Sequence, residues 1–395
     1  MLNIVPSSEE KKKLKKIVSN FLDSVKEFLS KFKDSRDIKF FLGGSYAKDT
    51  YLPGNRDIDV FVKFNFSKYK DEDISSVLYV MLRKKYKEVH VVHGSRDYFH
   101  IVIDDIIFEV VPVLDVKKAS LAVNVMDVSP LHVKYVKKRL KRKDDVRKLK
   151  ALLKAQHLYG AESHLQGFSG YVCELLVSHY GSFNKVVKKF SSVKDSLFLD
   201  PAKHYSSSGI ALKLLNKSKL GAFVLIDPVQ AERNAAAGVS SLKLKEFVKV
   251  CSEFSLDSFV LKEVDVSSLK GYIVLSVVGL EGRKDVSLSK MRALYDRILR
   301  SFSYNGFFVK DSGWDSSHYW FKVKSLSKTY RHYGPSLKYS EHVKAFKKKY
   351  GRKVKSSKSK VYVELDREFS DPSKFLESFV KQKFVKEKVK RIKLI

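Results

Sequence analysis

The stretch FFLGGSYAKDTYLPGNRDIDVFVKF, from Phe40 to Phe64, constrains the rest of the chain more than any other. Phe40, Phe41 and Leu42 predict a strand that runs into the turn Gly43-Gly44-Ser45, and Asp57-Ile58-Asp59 opens a second strand through Val60, Phe61 and Val62. Side chains alternate faces along a strand, so Asp57 and Asp59 point one way and Ile58, Val60 and Val62 the other. Two neighbouring carboxylates repel unless a cation sits between them, and hard divalent ions prefer oxygen ligands. Gly43 and Gly44 allow a close backbone approach, which makes the turn a seat for phosphate. Gly-Gly-Ser alone is commonly only a turn, and Asp-x-Asp at a strand edge is commonly solvated; the order and spacing of the two together carry the signal.

Together they resemble the signature of the nucleotidyltransferase superfamily that includes DNA polymerase beta and the poly(A) polymerases. Further along, Glu109 lies within Ile106-Ile107-Phe108-Glu109-Val110-Val111-Pro112. A carboxylate among such neighbours is costly if buried and unpaired, so it is either solvated at a strand edge or the third acid of a metal site. The superfamily pattern places a third acid at this distance.

The surrounding sequence reads as a small α/β domain over roughly the first 115 residues. Leu14, Ile17, Val18, Phe21, Leu22, Val25, Phe28 and Leu29 follow Ser8-Glu9-Glu10 at helical spacing. A second helix is predicted over Ile74–Tyr86, with strands at Glu88–His93, Tyr98–Ile103 and Ile106–Val113. Leu131 to Lys150 holds ten Lys or Arg against two Asp and predicts a strongly basic helical segment. Helices follow at Val146–Tyr159 and Tyr171–Tyr180, a short strand runs from Phe223 to Pro228, and helical pattern returns over Ala231–Val250. Around Leu256–Val266 the character changes to strand-rich sequence, with strands over Tyr272–Val278, Phe307–Lys310, Tyr319–Lys324 and Val361–Leu365. Helices are predicted at Leu288–Phe302 and Ser340–Tyr350, and Asp371-Pro372 reads as the cap and first position of a closing helix.

With 77 Lys and Arg against 44 Asp and Glu, the formal charge of +33 exceeds any need of solubility and points to a polyanion, nucleic acid before membrane. Lys344 to Lys360 carries nine basic residues and no acid; with the Lys-rich C-terminus it reads either as a solvated tail or as a phosphate-backbone contact. Cys173 and Cys251 are the only cysteines, which leaves no disulfide framework or cysteine zinc site. No export signal and no apolar run of about 18 residues is found, so a cytoplasmic protein without a membrane partner is expected.

GGSYAKDTYLPGNRDIDVFV, FEVVPV, SPLHVKYV, LYGAE with GFSGYVCELLVSHYGSF, DPVQAERNAAAGVS and HYGPSLKYSEHV together resemble the archaeal, class I CCA-adding enzymes, the tRNA nucleotidyltransferases, from about residue 40 to beyond 340. The resemblance implies an α+β multidomain chain. It has a polymerase beta-like α/β catalytic head over residues 1–138, a helical neck over 139–255, and an α+β body with a basic RNA-binding tail over 256–395.

Template-independent addition of C, C and A to the tRNA 3′ end, from CTP and ATP with release of pyrophosphate, is the implied activity. Asp57, Asp59 and Glu109 would be the catalytic metal ligands for two Mg²⁺ ions. Gly44, Ser45 and Lys48 would meet the triphosphate, His132, Lys150 and Tyr159 would line the nucleotide, and Arg233 and Asn234 would help read the base. Grip on the acceptor stem and adjoining arm of tRNA, and a homodimer, are also implied. Glu109 departs from the family's usual Asp and Lys48 from its usual Arg, the latter giving up a bidentate phosphate fork for a point charge. The rival readings are a poly(A) polymerase-like enzyme, a catalytically inactive RNA-binding protein and a small-molecule nucleotidyltransferase. Intact acids argue against the second of these, and the extended basic character against the third.

Overall fold

The computed structural model describes residues 4–32, 35–261 and 263–395, which divide into two compact units at the boundary between residues 262 and 263. In the first unit, α1 (Ser8–Ser30) begins where Ser7 accepts a hydrogen bond from the Glu10 N–H, and it buries Leu14, Val18, Phe21, Val25 and Leu29. These residues form one stripe of a helix with 3.6 residues per turn, each worth about 2 kcal/mol on burial. Phe21 stacks on Phe108 of the sheet with ring centroids 3.9 Å apart.

That sheet contains β1 (Ile38–Leu42), β2 (Asp57–Phe64), β3 (His90–Val92), β4 (Tyr98–Ile103) and β5 (Ile106–Leu114) in the order β1-β2-β5-β4-β3. Only the β2–β5 pair is parallel. The short helix α2 (Gly44–Lys48) joins β1 to β2, while α3 (Phe66–Tyr69) and α4 (Ile74–Lys85) follow β2. Ile58, Val60 and Val62 pack with α1 and α4 on one face. Phe61, Val111 and Val113 pack on the other, against Val133 of α5 (Ser129–Arg139). The alternation expected for β2 therefore puts Asp57 and Asp59 on the α5 face.

The basic segment expected as helical from Leu131 to Lys150 is two helices, α5 and α6 (Lys143–Ala155), separated at Leu140 to Arg142. Then come α7 (Gly170–Tyr180), α8 (Phe183–Phe190), β6 (Leu197–Leu199), α9 (Ser208–Leu214), β7 (Phe223–Leu225) and α10 (Ser241–Ser252). Phe168, Phe190, Phe223 and Phe247 centre their core, a cluster separate from that under the sheet.

Two expectations fail here. Residues 231–240 form turns rather than helix, and Leu256–Phe259 and Val266–Ser268 are 3₁₀ turns where the sequence was expected to turn strand-rich. In the first case a buried asparagine captures the backbone, as shown below. In the second, Asp265 accepts from the Ser267 N–H and the Ser255 N–H donates to the Ser258 hydroxyl, local side-chain bonds that favour turns over a ladder.

In the second unit, β8 (Ile273–Gly279), α11 (Lys284–Tyr304), β9 (Val309–Trp314) and β10 (His318–Val323) precede β11 (Thr329–Ser336) and α12 (Ser340–Tyr350). They are followed by β12 (Lys355–Ser356), β13 (Lys360–Asp366), α13 (Pro372–Phe379), α14 (Lys383–Lys386) and β14 (Val389–Leu394). One sheet runs β14-β8-β10-β9 and the other β11-β13-β12. Asp371 caps α13 by accepting from the Ser373 and Lys374 N–H groups, as its position before Pro372 predicts.

The Lys-rich C-terminus is not a solvated tail. A bulge between Val389 and Arg391 re-phases β14 so that Val389, Ile392 and Leu394 meet the core while the basic residues alternate outward. Strand β11, which contains Gly334-Pro335, was not expected. It is tolerated at a sheet edge, where the register shifts between Tyr333 and Ser336. Among the described residues no helix is long and apolar enough to cross a membrane.

Candidate active site

The register of β2 and β5 sets Asp59 directly beside Glu109. Asp57, two residues before Asp59, shares that face and is exposed, whereas Asp59 is half-buried. Gly44 sits against this row with φ of +55°, and a Cβ there would fall 1.6 Å from Asp59 Oδ2. The turn and the acids therefore form one piece of structure, tied also by the Gly43 N–H, which donates to the Asp59 carbonyl at 2.8 Å.

Burial, then the charge of Glu109, push the Asp59 carboxyl up to about 6 although Lys48 opposes the shift. Burial and Asp57 raise Glu109 as well. Like charges crowd here with too little positive charge among them. Among the described residues no three His, Cys, Asp or Glu side chains are gathered closely enough to hold a metal ion by themselves. The chemistry of the row, three hard oxygen donors repelling one another on adjacent strands, nevertheless fits divalent ions bound together with a ligand that completes their shell.

Ser45 lies half-buried in the first turn of α2. Three residues on, Lys48 does not extend freely: its Nζ donates to Glu174 Oε2 at 2.6 Å, and both side chains are nearly buried. Thr50 donates to the other Glu174 oxygen at 2.6 Å. Lys150, 3% exposed, donates to the Thr50 carbonyl at 3.0 Å and hydroxyl at 3.2 Å, with its Nζ 3.8 Å from Glu174. Burial lowers the Lys150 ammonium and Glu174 resists that shift. Lys48 and Lys150 were expected as open nucleotide contacts. The structure instead makes them two cations sharing one carboxylate behind the turn.

Tyr159 belongs to the same cluster. Its hydroxyl and the Lys150 side chain both lie against Gly170, at the start of α7, where a Cβ would meet them at 2.9 and 3.4 Å. Burial raises its phenol.

One residue further along α7, Tyr171 donates to Asp227 Oδ1 at 3.1 Å and its ring lies 4.5 Å from that of His132. Asp227 is fully buried and gathers His132, expected to line the nucleotide, and Arg233, expected to read the base. His132 Nε2 stands 3.0 Å from Oδ2, Arg233 donates to the same oxygen, and the Val229 N–H donates to Oδ1 at 2.9 Å. Burial alone would raise this acid; His132, Val229 and Arg233 overcome that and hold it at about 2.

Arg233 remains exposed, but Asn234 is 5% exposed and has no edge left for a base. Its Oδ1 accepts from the Leu225 and Ala236 N–H groups, and its Nδ2 donates to the Lys219 and Phe223 carbonyls. An asparagine amide has no further strong donor or acceptor to give. It builds the loop that carries Arg233.

Glu174, Thr50, Tyr171 and Asp227 were not among the expected site residues. Glu174 and Asp227 carried the signal used for Glu109: an acid embedded in an apolar run, Val172-Cys173-Glu174-Leu175-Leu176 in one case and Phe223-Val224-Leu225-Ile226-Asp227 in the other. Such an acid must find partners.

Comparison with known proteins matches three family models along the chain. Residues 22–143 match a nucleotidyltransferase domain, residues 144–260 the second domain of tRNA nucleotidyltransferase, and residues 285–392 the C-terminal domain of CCA-adding enzyme. A CCA-adding enzyme of Nanoarchaeum equitans is 33% identical over 339 residues, 84% of this chain and 83% of that one. Another, of Sulfurisphaera tokodaii, is 28% identical over 362 residues, 87% of this chain and 81% of that one. A solved structure of a cytoplasmic RNA terminal U-transferase aligns with a TM-score of 0.48 and 14% identity, over 66% of this chain and 96% of that one.

Proposed function

From the premise that this chain belongs to the CCA-adding enzyme family, we propose that it completes tRNA by adding C, C and A to the 3′ end from CTP and ATP, without a template and with release of pyrophosphate. The observation that carries the reading is the carboxylate row Asp57, Asp59 and Glu109 lying in register beneath the Gly44 turn. Those three residues would hold two Mg²⁺ ions, which when bound polarise the α-phosphate and acidify the terminal ribose hydroxyl.

The chain's own residues do the rest. Gly44 and Ser45 give the triphosphate a close backbone approach and a hydroxyl. Lys48 and Lys150, with one carboxylate between them, place a net positive charge behind that seat. Tyr159 and His132 border the nucleoside. Arg233, oriented by Asp227, offers its remaining donors to the base, and Asn234 fixes the loop beneath it. A polar site of this kind rejects wrong bases because its groups are left unpaired when they enter.

In this reading residues 1–138 form the catalytic head, 139–255 the neck, and 256–395 the body and tail. The basic segments take the acceptor stem and adjoining arm by shape and phosphate contacts, the setting is cytoplasmic and the assembly a homodimer. The test is extension of a tRNA transcript lacking its last three nucleotides, with Mg²⁺ and each nucleotide separately and together. Two additions with CTP alone and three with CTP plus ATP, stopping there, are expected. A long tail from ATP alone would instead identify a poly(A) polymerase, and no incorporation at any Mg²⁺ level would leave an inactive RNA-binding protein.

A further inference from the structure

We propose that His100 is a positioning residue for Glu109, holding one oxygen of that carboxylate so that the other stays turned toward Asp57 and Asp59; the inference rests on the nucleotidyl-transfer reading above. Strand register brings the groups together. Glu109 pairs with Asp59 across β2–β5 and with His100 across β4–β5, so the three side chains form one row on one face of three adjacent strands. His100 Nε2 lies 3.1 Å from Glu109 Oε1, and both side chains are about two-thirds buried, at 27% and 31% exposure. The imidazole is itself braced: Tyr98, two residues earlier on β4 and on the same face, meets it edge-on at 5.5 Å.

The arrangement answers a geometric need. A glutamate carboxylate stands one methylene further from its backbone than the aspartate opposite it, with one more torsion to fix, and nothing in its own strand fixes that torsion. An imidazole N–H on the neighbouring strand does so by engaging Oε1, and it leaves Oε2 free. Carboxylates that bind ions are typically held in this way from behind, and removing such a partner typically costs 10–100-fold in metal affinity or activity. A merely structural cross-strand pair would affect stability alone.

The experiment compares the full-length parent with His100→Ala, His100→Gln, Glu109→Asp, the double variant H100A/E109D, and His90→Ala. His90 faces His100 from the next strand out, is exposed, and serves as the control. The first readout is binding of Mn²⁺ alone to the protein, followed by the electron paramagnetic resonance of the free ion. The second is kcat and KM for CMP addition, with thermal melts as a check of folding.

In H100A, Mn²⁺ affinity and kcat should each fall about 10–100-fold while KM for tRNA is unchanged. H100Q, whose amide can still donate to Glu109, should recover most of the loss, and H90A should match the parent. In the Glu109→Asp background the shorter carboxylate no longer reaches His100, so adding H100A should change nothing further. The inference is overturned if H100A binds Mn²⁺ and turns over like the parent, if H100Q fails to restore a folded H100A, or if the two substitutions multiply in the double variant. Because Mn²⁺ binding needs no transfer reaction, a parent that extends no RNA would refute the functional reading and still leave the role of His100 decided.

Discussion

Replacing Gly44 by alanine tests whether the glycine turn and the acid row act as one device. Two costs can be separated. The first is backbone: at φ of +55° a non-glycine residue pays about 1–2 kcal/mol. The second is steric, because the new Cβ would stand 1.6 Å from Asp59 Oδ2 and 2.5 Å from its Cγ, far inside any real contact. Either Asp59 or α2 must move by roughly 1–2 Å, and a misplacement of about 1 Å typically costs 10²-fold in rate.

Gly54 supplies the control. It also has a positive φ, +72°, but its Cβ would meet nothing within 4 Å. Both Gly44→Ala and Gly54→Ala should therefore lower the melting temperature of the first unit by about 2–6 °C. Only Gly44→Ala should lower kcat for CMP addition by about 100-fold or more, equivalent to about 2.7 kcal/mol of barrier. Single-turnover extension of trimmed tRNA, alongside melting curves of both variants, reads the two effects separately. If Gly44→Ala stays within threefold of Gly54→Ala in rate, Asp59 is not held at the reacting centre and the argument from the turn is wrong.

Three further outcomes follow from the same geometry. Glu174→Gln leaves Lys48 and Lys150 without their shared counter-charge, so stability should fall by about 3–5 kcal/mol, seen as a drop of about 10 °C in melting temperature; a drop under about 2 °C would show that the two ammoniums do not depend on Glu174. Asp227, held at about 2 against an ordinary 3.8, contributes about 2 kcal/mol that is present above pH 4 and lost as pH falls through 2. The stability gap between parent and Asp227→Asn, from urea titrations, should accordingly narrow over that window, and a gap independent of pH there would contradict the assignment. Asn234→Ala removes four hydrogen bonds and should cost about 2–4 kcal/mol while raising KM for CTP and ATP more than it lowers kcat, because the loop under Arg233 slackens; a pure kcat loss would place Asn234 elsewhere in the mechanism.

The parts of this fold that local chemistry decides were legible in the sequence. Strand alternation put Asp57 and Asp59 on one face, and Asp371 before Pro372 marked a helix start. The failures share a different cause. Glu-Arg-Asn-Ala-Ala-Ala-Gly reads as helix by propensity, yet Asn234 takes four backbone groups around it and forces a loop. Val389 to Leu394 reads as a charged tail until β8 is there to pair with it. His100 and Glu109 are nine residues apart on adjoining strands, and only their register reveals the contact. Sequence pattern identifies residues that chemistry requires; it does not say whether a lysine meets a ligand or another side chain.

That distinction bears on how the site works. Lys150 and Asn234 were expected to touch the nucleotide, and each instead has its polar groups engaged within the protein. What Lys150 and Lys48 supply is a field. A unit charge at roughly 8 Å in a medium of effective dielectric about 20 is worth about 2 kcal/mol without any contact, and Glu174 cancels one of the two charges while fixing the position of both. In front of the turn stand three carboxylates, where burial first and the charge of Glu109 second raise Asp59 to about 6; behind it stands the surplus cation that partly relieves them. A free triphosphate would be attracted by one side and repelled by the other, and a free divalent ion the reverse. The ligand that satisfies both carries cations on one flank and phosphate oxygens on the other, which is the form of a nucleoside triphosphate with its divalent ions.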